Sequence, residues 1–297
     1  MHDEAIIDVA PPIQPPKSVP HEPTHVIAPT RGIAALKLRE LWEYRELLWL
    51  LIRRDVTVRY KQTILGASWA FVQPVINMVI FSVVFGNIAN IRNPDGIPYP
   101  IFAFTALLPW NLFNRALTGT SSSLTSSAHL VGKVYFPRLI LPLTNVIAPV
   151  FDFALSLIVL VGLMFWYQVV PTWHVILLPV FLLIAMVTAL SVGLWFAAIN
   201  VKYRDIGQIA PFLTQIWLYA TPVAYPLSRI EHWSPTLKFL YSLNPMVSVV
   251  EGFRWAMLGK GNPDMNVMAM SLLGVILVGV GGLLFFKRAE QTFADVI

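Results

Sequence analysis

Long uncharged segments run through most of this chain, and their lengths predict membrane-spanning helices. A helix that crosses a bilayer needs about 20 predominantly apolar residues, and residues 62–91 already exceed that length without a charge. The uncharged stretch at 153–201 is too long for one span, and the sequence from Pro171 to His174 divides it in two. The pattern therefore predicts six spans, near 67–88, 100–125, 142–166, 175–200, 206–228 and 265–286.

The segment before the first span has a mixed pattern. Between residues 35 and 61, apolar residues recur at helical spacing and charged residues fill much of the remainder. Such a helix, beside a lipid-length segment, is typical of one in the membrane interface, although packing on a soluble partner would give the same pattern. Residues 1–30 hold seven of the 23 prolines and no apolar run, which predicts a disordered cytoplasmic tail before a transmembrane domain at 31–297.

Two helix-start signals lie in the long segment between the fifth and sixth spans. Ser234-Pro235 and Asn244-Pro245 each place a capping residue before a proline at the first helical position. They predict two short amphipathic helices, which either dip back into the membrane from outside or lie flat on its surface. The complete prediction is an all-α integral membrane fold with six transmembrane helices, an N-terminal amphipathic interface helix and two short outer helices.

The charge of the chain is low and unevenly distributed. Charged residues make up 12% of the sequence, half the usual ~25%, which excludes a disordered, fibrous or nucleic-acid-binding protein. Fourteen of the 21 basic residues fall in four segments: 31–66, 126–138, 202–205 and 287–297. An excess of Lys and Arg in short loops marks the cytoplasmic side, so both termini are predicted to be cytoplasmic.

Few patterns in the sequence point to catalysis. It contains no cysteine, no GxxxxGK[ST] phosphate loop, no HExxH and no GxSxG motif, and its six histidines are scattered. We therefore predict neither ATP hydrolysis nor a metal site in this chain. A membrane enzyme that modifies a polyprenyl-linked glycan is an alternative, but the acidic pairs that it would need are missing near the cytoplasmic face. A secondary transporter would show an inverted repeat, and none is evident.

Two ionisable residues lie inside predicted spans. Arg115 precedes the inner end of the second span by about ten residues, and Asp152 follows the inner end of the third span by a similar number, so the helical rise places them at similar depth. Unpaired charges at that depth are costly. We predict that the two residues pair, within one subunit or across a dimer, either as a polar lining of a substrate path or as a structural ion pair.

Five segments form an ordered set of motifs between residues 35 and 288. They are Arg59 to Gly66 with Trp69 and Pro74, Lys133 to Pro142, Asn200 to Ile206, Thr221 to Pro226, and Asn244-Pro245 with Glu251 to Arg254. In this order, and with six spans, the set resembles the type 2 ABC exporter permeases of polysaccharide export, nearest to the O-antigen (Wzm-like) group. The tail at 1–30 lies outside the resemblance.

The resemblance implies a particular assembly and cargo. A homodimer of permeases in the bacterial inner membrane would bind two cytoplasmic ABC ATPase subunits, which would hold ATP and Mg, while this chain would hold no cofactor. The cargo would be a polysaccharide, the O antigen, on an undecaprenyl diphosphate carrier. Export of capsular polysaccharide or teichoic acid is the alternative within the class.

The resemblance also implies roles for individual residues. The ATPase-coupling residues would be Lys133, Tyr135, Phe136, Pro137, Arg138, Lys202, Tyr203, Arg204 and Asp205. Lipid diphosphate or anionic lipid would meet the inner-face residues Arg59, Lys61 and Arg204. The outer gate would include Tyr225, Asn244, Glu251 and Arg254. Candidate channel-lining residues are Trp69, Phe71, Phe81, Phe85, Trp110, Phe113, Arg115 and Asp152, although core or lipid packing is the commoner use of aromatic residues.

Overall fold

Helices account for the regular structure of the residues that the computed structural model describes, which are 38–61, 68–91, 96–230, 233–260, 265–290 and 293, and these contain no β-strand. The α-helices are α1 Leu38–Glu43, α2 Arg45–Lys61, α3 Trp69–Phe81, α4 Tyr99–Ser126, α5 Ala128–Lys133, α6 Ile140–Ile147, α7 Pro149–Trp166, α8 Leu178–Lys202, α9 Ile206–Tyr219, α10 Pro235–Ser242, α11 Pro245–Leu258 and α12 Met265–Glu290. A π-helical stretch, Ser82–Ile88, extends α3, and short 3-10 helices lie at Trp173–Leu177 and Leu227–Ile230. The predicted tail at 1–30 lies outside the described residues.

Among the described residues, four helical segments are long and apolar enough to cross a membrane. They are Phe71–Ile88, Ile140–Trp166, Trp173–Lys202 and Met265–Glu290. These segments coincide with the first, third, fourth and sixth predicted spans. The chain is therefore an all-helical, multi-pass membrane protein.

The other two predicted spans differ from simple apolar helices. α4 has 28 residues, which is enough to cross a bilayer, but its inner half is rich in Ser and Thr. α9 has only 14 residues, so it is about 21 Å long against a hydrocarbon core of about 30 Å. The prediction of one continuous helix over 206–228 is therefore wrong, because the chain turns after Ala220.

α4 is the central helix of the described structure. It packs against α3, α6, α7, α8, α9 and α11, and every residue from Ile101 to Trp110 is buried. Its contact with α8 is close because Gly193 has no side chain: a Cβ atom there would lie 2.5 Å from Cγ2 of Thr120. Small residues at helix contacts bring backbones together in membrane proteins, where dispersion rather than water exclusion holds helices in place.

We expect Gly193→Val to destabilise the protein by about 1–3 kcal/mol, because the added carbons force α4 and α8 apart. Gly162→Val, the same change in α7, is the control, since nothing lies within 4 Å of a Cβ atom built at Gly162. The temperature midpoint of unfolding of the purified protein in detergent measures both effects. Equal losses in the two variants would contradict this account of the contact.

A helix begins at each of the two predicted start signals, and both predicted caps are confirmed. The Ser234 side chain accepts a hydrogen bond from the backbone N–H of Leu237, and the Asn244 side chain accepts one from Met246 at 3.0 Å. α10 is mostly exposed. α11 instead packs against α4, α8 and α12 and contributes Val247, Val250 and Phe253, each fully buried, to the interior. The alternative of two helices lying flat on a surface is therefore wrong for α11.

Candidate functional site

A charged cluster joins four helices around Asp152. The carboxylate is 6% exposed, and its Oδ2 accepts a hydrogen bond from Nη1 of Arg115 at 2.5 Å. The predicted pairing of these two residues is thus present within one chain. The other terminal nitrogen of Arg115 donates to Oε1 of Gln73 in α3 at 2.7 Å.

The same carboxylate also binds the C-terminal end of α2. Arg59 and the hydroxyl group of Tyr60 both donate to Asp152. The C-terminal end of α2 therefore contacts α7 directly. Arg59, Lys61 and Arg204 were predicted to meet lipid or diphosphate at the inner face. Of these, Lys61 and Arg204 are exposed, whereas Arg59 is bound to Asp152. Within the described residues, two guanidinium groups therefore share one carboxylate, and the cluster carries a surplus positive charge.

The first segment predicted to contact the ATPase, 133–138, divides into an exposed and an anchored part. Three of its residues are exposed: Lys133, Val134 and Tyr135. Phe136 is buried, with 7% of its surface exposed. Arg138 points toward the end of α12, where its Nη1 donates to the carbonyl oxygen of Glu290 at 2.7 Å. A cation at a helix C-terminus is favourable because the last carbonyl groups carry partial negative charge. Arg138 thus fastens this segment to α12.

The second segment predicted to contact the ATPase, 202–205, projects from a polar anchor. Its four residues are all exposed: Lys202, Tyr203, Arg204 and Asp205. Beneath them, Nδ2 of buried Asn200 donates to the carbonyl oxygen of Ser121 at 3.0 Å, and the backbone N–H of Gly207 donates to its Oδ1 at 3.1 Å. Asn200 therefore fixes this segment against the inner end of α4, from which α5 and the first contact segment also leave.

The aromatic residues proposed as channel lining fall into two groups. Trp69 is exposed, and Phe71, Phe81 and Phe85 are half-buried. Trp110 and Phe113 lie in the core, at 3% and 0% exposure. Phe113 packs edge-on against Trp217 with ring centroids 5.0 Å apart. These two side chains reach no surface, so the prediction that they line a path is wrong for this structure.

The residues assigned to an outer gate form one connected group. Arg254 is 6% exposed and donates to Oε1 of Glu251 at 2.6 Å and to the carbonyl oxygen of Pro222 at 2.9 Å, and its guanidinium lies 3.7 Å from the ring centroid of Phe102. Burial lowers the pKa of Arg254, and the nearby Glu251 carboxylate opposes that shift. Arg254 thereby joins α11 to the 220–226 turn and to the outer end of α4.

Further hydrogen bonds hold the same turn and the end of α9. The indole N–H of Trp217 donates to Oδ1 of Asn244 at 2.8 Å, while Nδ2 of Asn244 donates to Oγ1 of Thr221 at 3.1 Å. The hydroxyl groups of Tyr225 and Tyr241 lie 3.2 Å apart. Asn244 therefore caps α11 and binds α9 at once, a second role that its N-cap pattern did not indicate.

A cavity of about 690 Å³ lies beside α10 and is bordered mainly by apolar side chains, among them Val192, Leu237, Leu240, Val275 and Leu277. Such a lining suits hydrocarbon rather than sugar, because sugar hydroxyl groups would lose hydrogen bonds there. Across the described residues, no group of three or more His, Cys, Asp or Glu side chains is placed to hold a metal ion.

Residues missed by sequence reasoning contribute to these sites. Gln73, Tyr60 and Asn200 all bind residues or segments that were singled out, yet none of them was itself assigned a role. Gln73 and Asn200 did carry a usable signal, since uncharged polar residues within spans commonly bond across helices. Tyr60 carried none, because a tyrosine at the end of an interface helix is ordinary.

Comparison with known proteins places the chain in a class. The ABC-2 type transporter family matches residues 46–258, which is well over half of the sequence. The chain therefore belongs to this family and is a transmembrane permease of a type 2 ABC exporter.

Individual relatives agree over almost their whole length. The O-antigen export system permease protein RfbA of Myxococcus xanthus is 35% identical over 261 residues, which cover 88% of this chain and 98% of the relative. A protein of the same name from Klebsiella pneumoniae is 26% identical over 259 residues, covering 85% and 95%. A second one from Klebsiella pneumoniae is 23% identical over 258 residues, with the same coverage.

Proposed function

We propose that this chain is the permease subunit of an ATP-driven transporter that exports undecaprenyl-diphosphate-linked O antigen across the bacterial inner membrane. The observation that carries the proposal is the 35% identity to an O-antigen export permease over 98% of that protein. The apolar spans and the missing phosphate loop are consistent with a subunit that supplies a path but not the energy.

Two copies of the permease would bind two separate ABC ATPase chains, which would carry ATP and Mg. The exposed residues of the two cytoplasmic segments support this assignment, because aromatic and basic side chains stand out together there. Tyr135 is 73% exposed and Tyr203 is 56% exposed, so both rings are accessible to a partner chain. Phe136, Pro137 and Arg138 would act by holding the first segment in place.

The proposed topology has six crossings and both termini in the cytoplasm. The fifth crossing would combine α9 with the turn at 220–226, and the second would be α4. α10 and α11 would form the outer gate, in which Tyr225, Asn244, Glu251 and Arg254 hold the closed arrangement. At the inner face, Lys61 and Arg204, with the surplus charge of the cluster at Arg59, would attract the carrier diphosphate.

Deletion of the gene tests this function. We expect the deletion strain to lose its surface glycan and to accumulate the same glycan on undecaprenyl diphosphate inside the cell, and a plasmid copy of the gene to restore the surface glycan. Immunoblotting of surface glycan and mass spectrometry of extracted lipid-linked glycan measure both effects. A normal surface glycan in the deletion strain would overturn the proposal, and accumulated capsular or teichoic polymer would replace O antigen as the cargo.

A further inference from the structure

One face of α4 is polar along the inner half of the helix. From residue 101 onward, every position of α4 that is not buried carries a polar side chain or is glycine. The spacing of three and four residues places these positions on one side of the helix. We call this face the polar stripe, and its members are Asn111, Asn114, Arg115, Thr118, Gly119, Ser122, Thr125 and Ser126.

The polar stripe contrasts with the outer faces of α7, α8 and α12. Over residues 153–166, 178–199 and 267–286, all of which the structure describes, no side chain that carries a charge, an amide or a hydroxyl group is even half-exposed. Those faces present groups such as Ile158, Leu183 and Leu277 instead. Surfaces that meet hydrocarbon are apolar because polar groups there lose their hydrogen bonds to water. Two members of the polar stripe meet neighbouring helices, because Gly119 packs against Asn145 and Thr125 accepts a hydrogen bond from Asn200. We infer that the accessible remainder of the stripe faces water or a polar ligand rather than lipid.

α3 continues the polar surface across from the polar stripe. Gly86 lies against Tyr99, and Gln73 binds Arg115, so the two helices run in opposite directions with a known register. One turn further out, that register places Asn77 opposite Asn111. Both residues are half-buried, at mid-helix.

The amide groups of this surface are available for binding. The side chains of Asn77, Asn111 and Asn114 make no hydrogen bond within the part of the chain that the structure describes. The hydroxyl groups of Thr118 and Ser122 donate to carbonyl groups of their own helix, which leaves their oxygen atoms free to accept. Three unbonded amides at this depth need water or a ligand to satisfy them.

The chemistry of the polar stripe fits a neutral, hydroxyl-rich chain. A carboxamide offers two donors and an acceptor, and a hydroxyl group offers both functions, which matches sugar hydroxyl groups without demanding one particular sugar. Exchange of bound water for such a ligand preserves the hydrogen bonds and costs little. A diphosphate would need cations, and the stripe contains only Arg115, which is already bound to Asp152 and Gln73.

The polar stripe is open at one end only. From Asn111 to Ser126 it runs about 22 Å, at 1.5 Å per residue. Beyond Asn111, residues 101–110 are buried, and Phe102 lies under the guanidinium of Arg254. The accessible surface thus begins at the end of α4 that precedes the first predicted ATPase-contact segment and stops at Asn111. The buried residues 101–110 separate it from the group assigned to the outer gate.

We propose that the polar stripe of α4, with Gln73 and Asn77 of α3, is a binding track for the sugar units of the exported glycan. This inference rests on the proposed function. Sugar units would exchange hydrogen bonds with amide and hydroxyl groups along the inner half of α4 while the outer end remains closed. Movement of the glycan along the track would then need no recognition of sugar identity.

Cysteine labelling tests the track, and the chain has no natural cysteine. We would introduce Asn111→Cys, Asn114→Cys and the nearly isosteric Ser122→Cys, one at a time, into the complete transporter in inside-out membrane vesicles. A membrane-impermeant maleimide should label these positions about tenfold faster than Ile158→Cys on the apolar face or Ala116→Cys in the core, because a thiol in dry apolar surroundings forms little thiolate. Vesicles from cells that make the lipid-linked glycan should show slower labelling than vesicles from cells that cannot.

Each outcome decides one part of the inference. Labelling of the stripe positions no faster than Ile158→Cys would show that a second copy or lipid seals the stripe, and it would overturn the track. Fast labelling that the lipid-linked glycan leaves unchanged would overturn the assignment to sugar. The proposed function fails separately, through normal surface glycan in the deletion strain, so the two failures are distinguishable.

Discussion

Replacement of Asp152 by Asn is expected to destabilise the permease by about 2–3 kcal/mol and to abolish most export, because it removes the charge of the buried carboxylate that the partly exposed Arg115 and Arg59 share. Arg115 and Arg59 both bind this carboxylate, and Tyr60 donates to it as well. The loss would detach the end of α2 from α7 and α4. The unfolding midpoint of the purified protein and the amount of surface glycan measure the two effects.

Asp55→Asn is the matched control for this change. Asp55 pairs with Arg54 at the surface, where an ion pair contributes about 0–1 kcal/mol. We expect this variant to remain close to the wild type in stability and export. A similar loss at both positions would mean that the cluster around Asp152 has no special role.

A second pair of variants tests which arginine residues pair with Asp152. Exchange of the charges, Arg115→Asp with Asp152→Arg, should not restore stability, because the arginine placed at position 152 would face Arg59. Neutralising both partners, Arg115→Gln with Asp152→Asn, should recover part of the loss, since it removes one of the two surplus cations. Full recovery in the charge exchange would show that Arg59 is not a true partner of Asp152.

Arg254→Met is expected to destabilise the outer side of the protein by about 3 kcal/mol, since a hydrogen bond to a charged group and a desolvated cation–π contact each contribute on that scale. The change removes the bonds to Glu251 and Pro222 and the contact with Phe102. The 220–226 turn would then be held by Asn244, by the contact between Tyr225 and Tyr241 and by Tyr99, whose hydroxyl group donates to the carbonyl oxygen of Ala224. The unfolding midpoint and protease cleavage within the turn measure the result.

Two further variants are controls for this prediction. Arg229→Met makes the same change at an exposed residue of the adjacent 3-10 helix and should have little effect. Arg254→Lys keeps the charge but loses the forked geometry, so an intermediate loss is expected. Equal shifts of the unfolding midpoint in Arg229→Met and Arg254→Met would contradict the stabilising role of the buried guanidinium of Arg254.

Local signals in the sequence predicted much of the fold. Apolar segments of sufficient length located four spans, and the Ser234 and Asn244 caps located α10 and α11 to the residue. The burial of α11 was not predictable, because Val247, Val250 and Phe253 give a helix the same apolar face whether it meets protein or lipid. The break after α9 was missed because an uncharged segment satisfies a composition rule whether or not it is one helix.

The candidate site was predicted less completely, for a related reason. Depth along two helices was enough to pair Arg115 with Asp152, since a charge inside the bilayer must find a partner. No such constraint placed Arg59 on the same carboxylate, because a charge at the end of an interface helix has water as an alternative. Trp110 and Phe113 were assigned to a path by residue type, which cannot distinguish a lining position from a core position.

The close contact between α4 and α8 also limits how the molecule can move. Gly193 sits against Thr120, and a Cβ atom on Gly282 of α12 would lie 2.6 Å from the backbone oxygen of Ser191 in α8. Helices that meet this closely cannot slide or rotate past one another without clashes. We therefore expect α4, α8 and α12 to move together as one rigid unit. Any change in the width of a transport path is then expected to come from helices outside this group, such as α3 and α9, which both pack against α4.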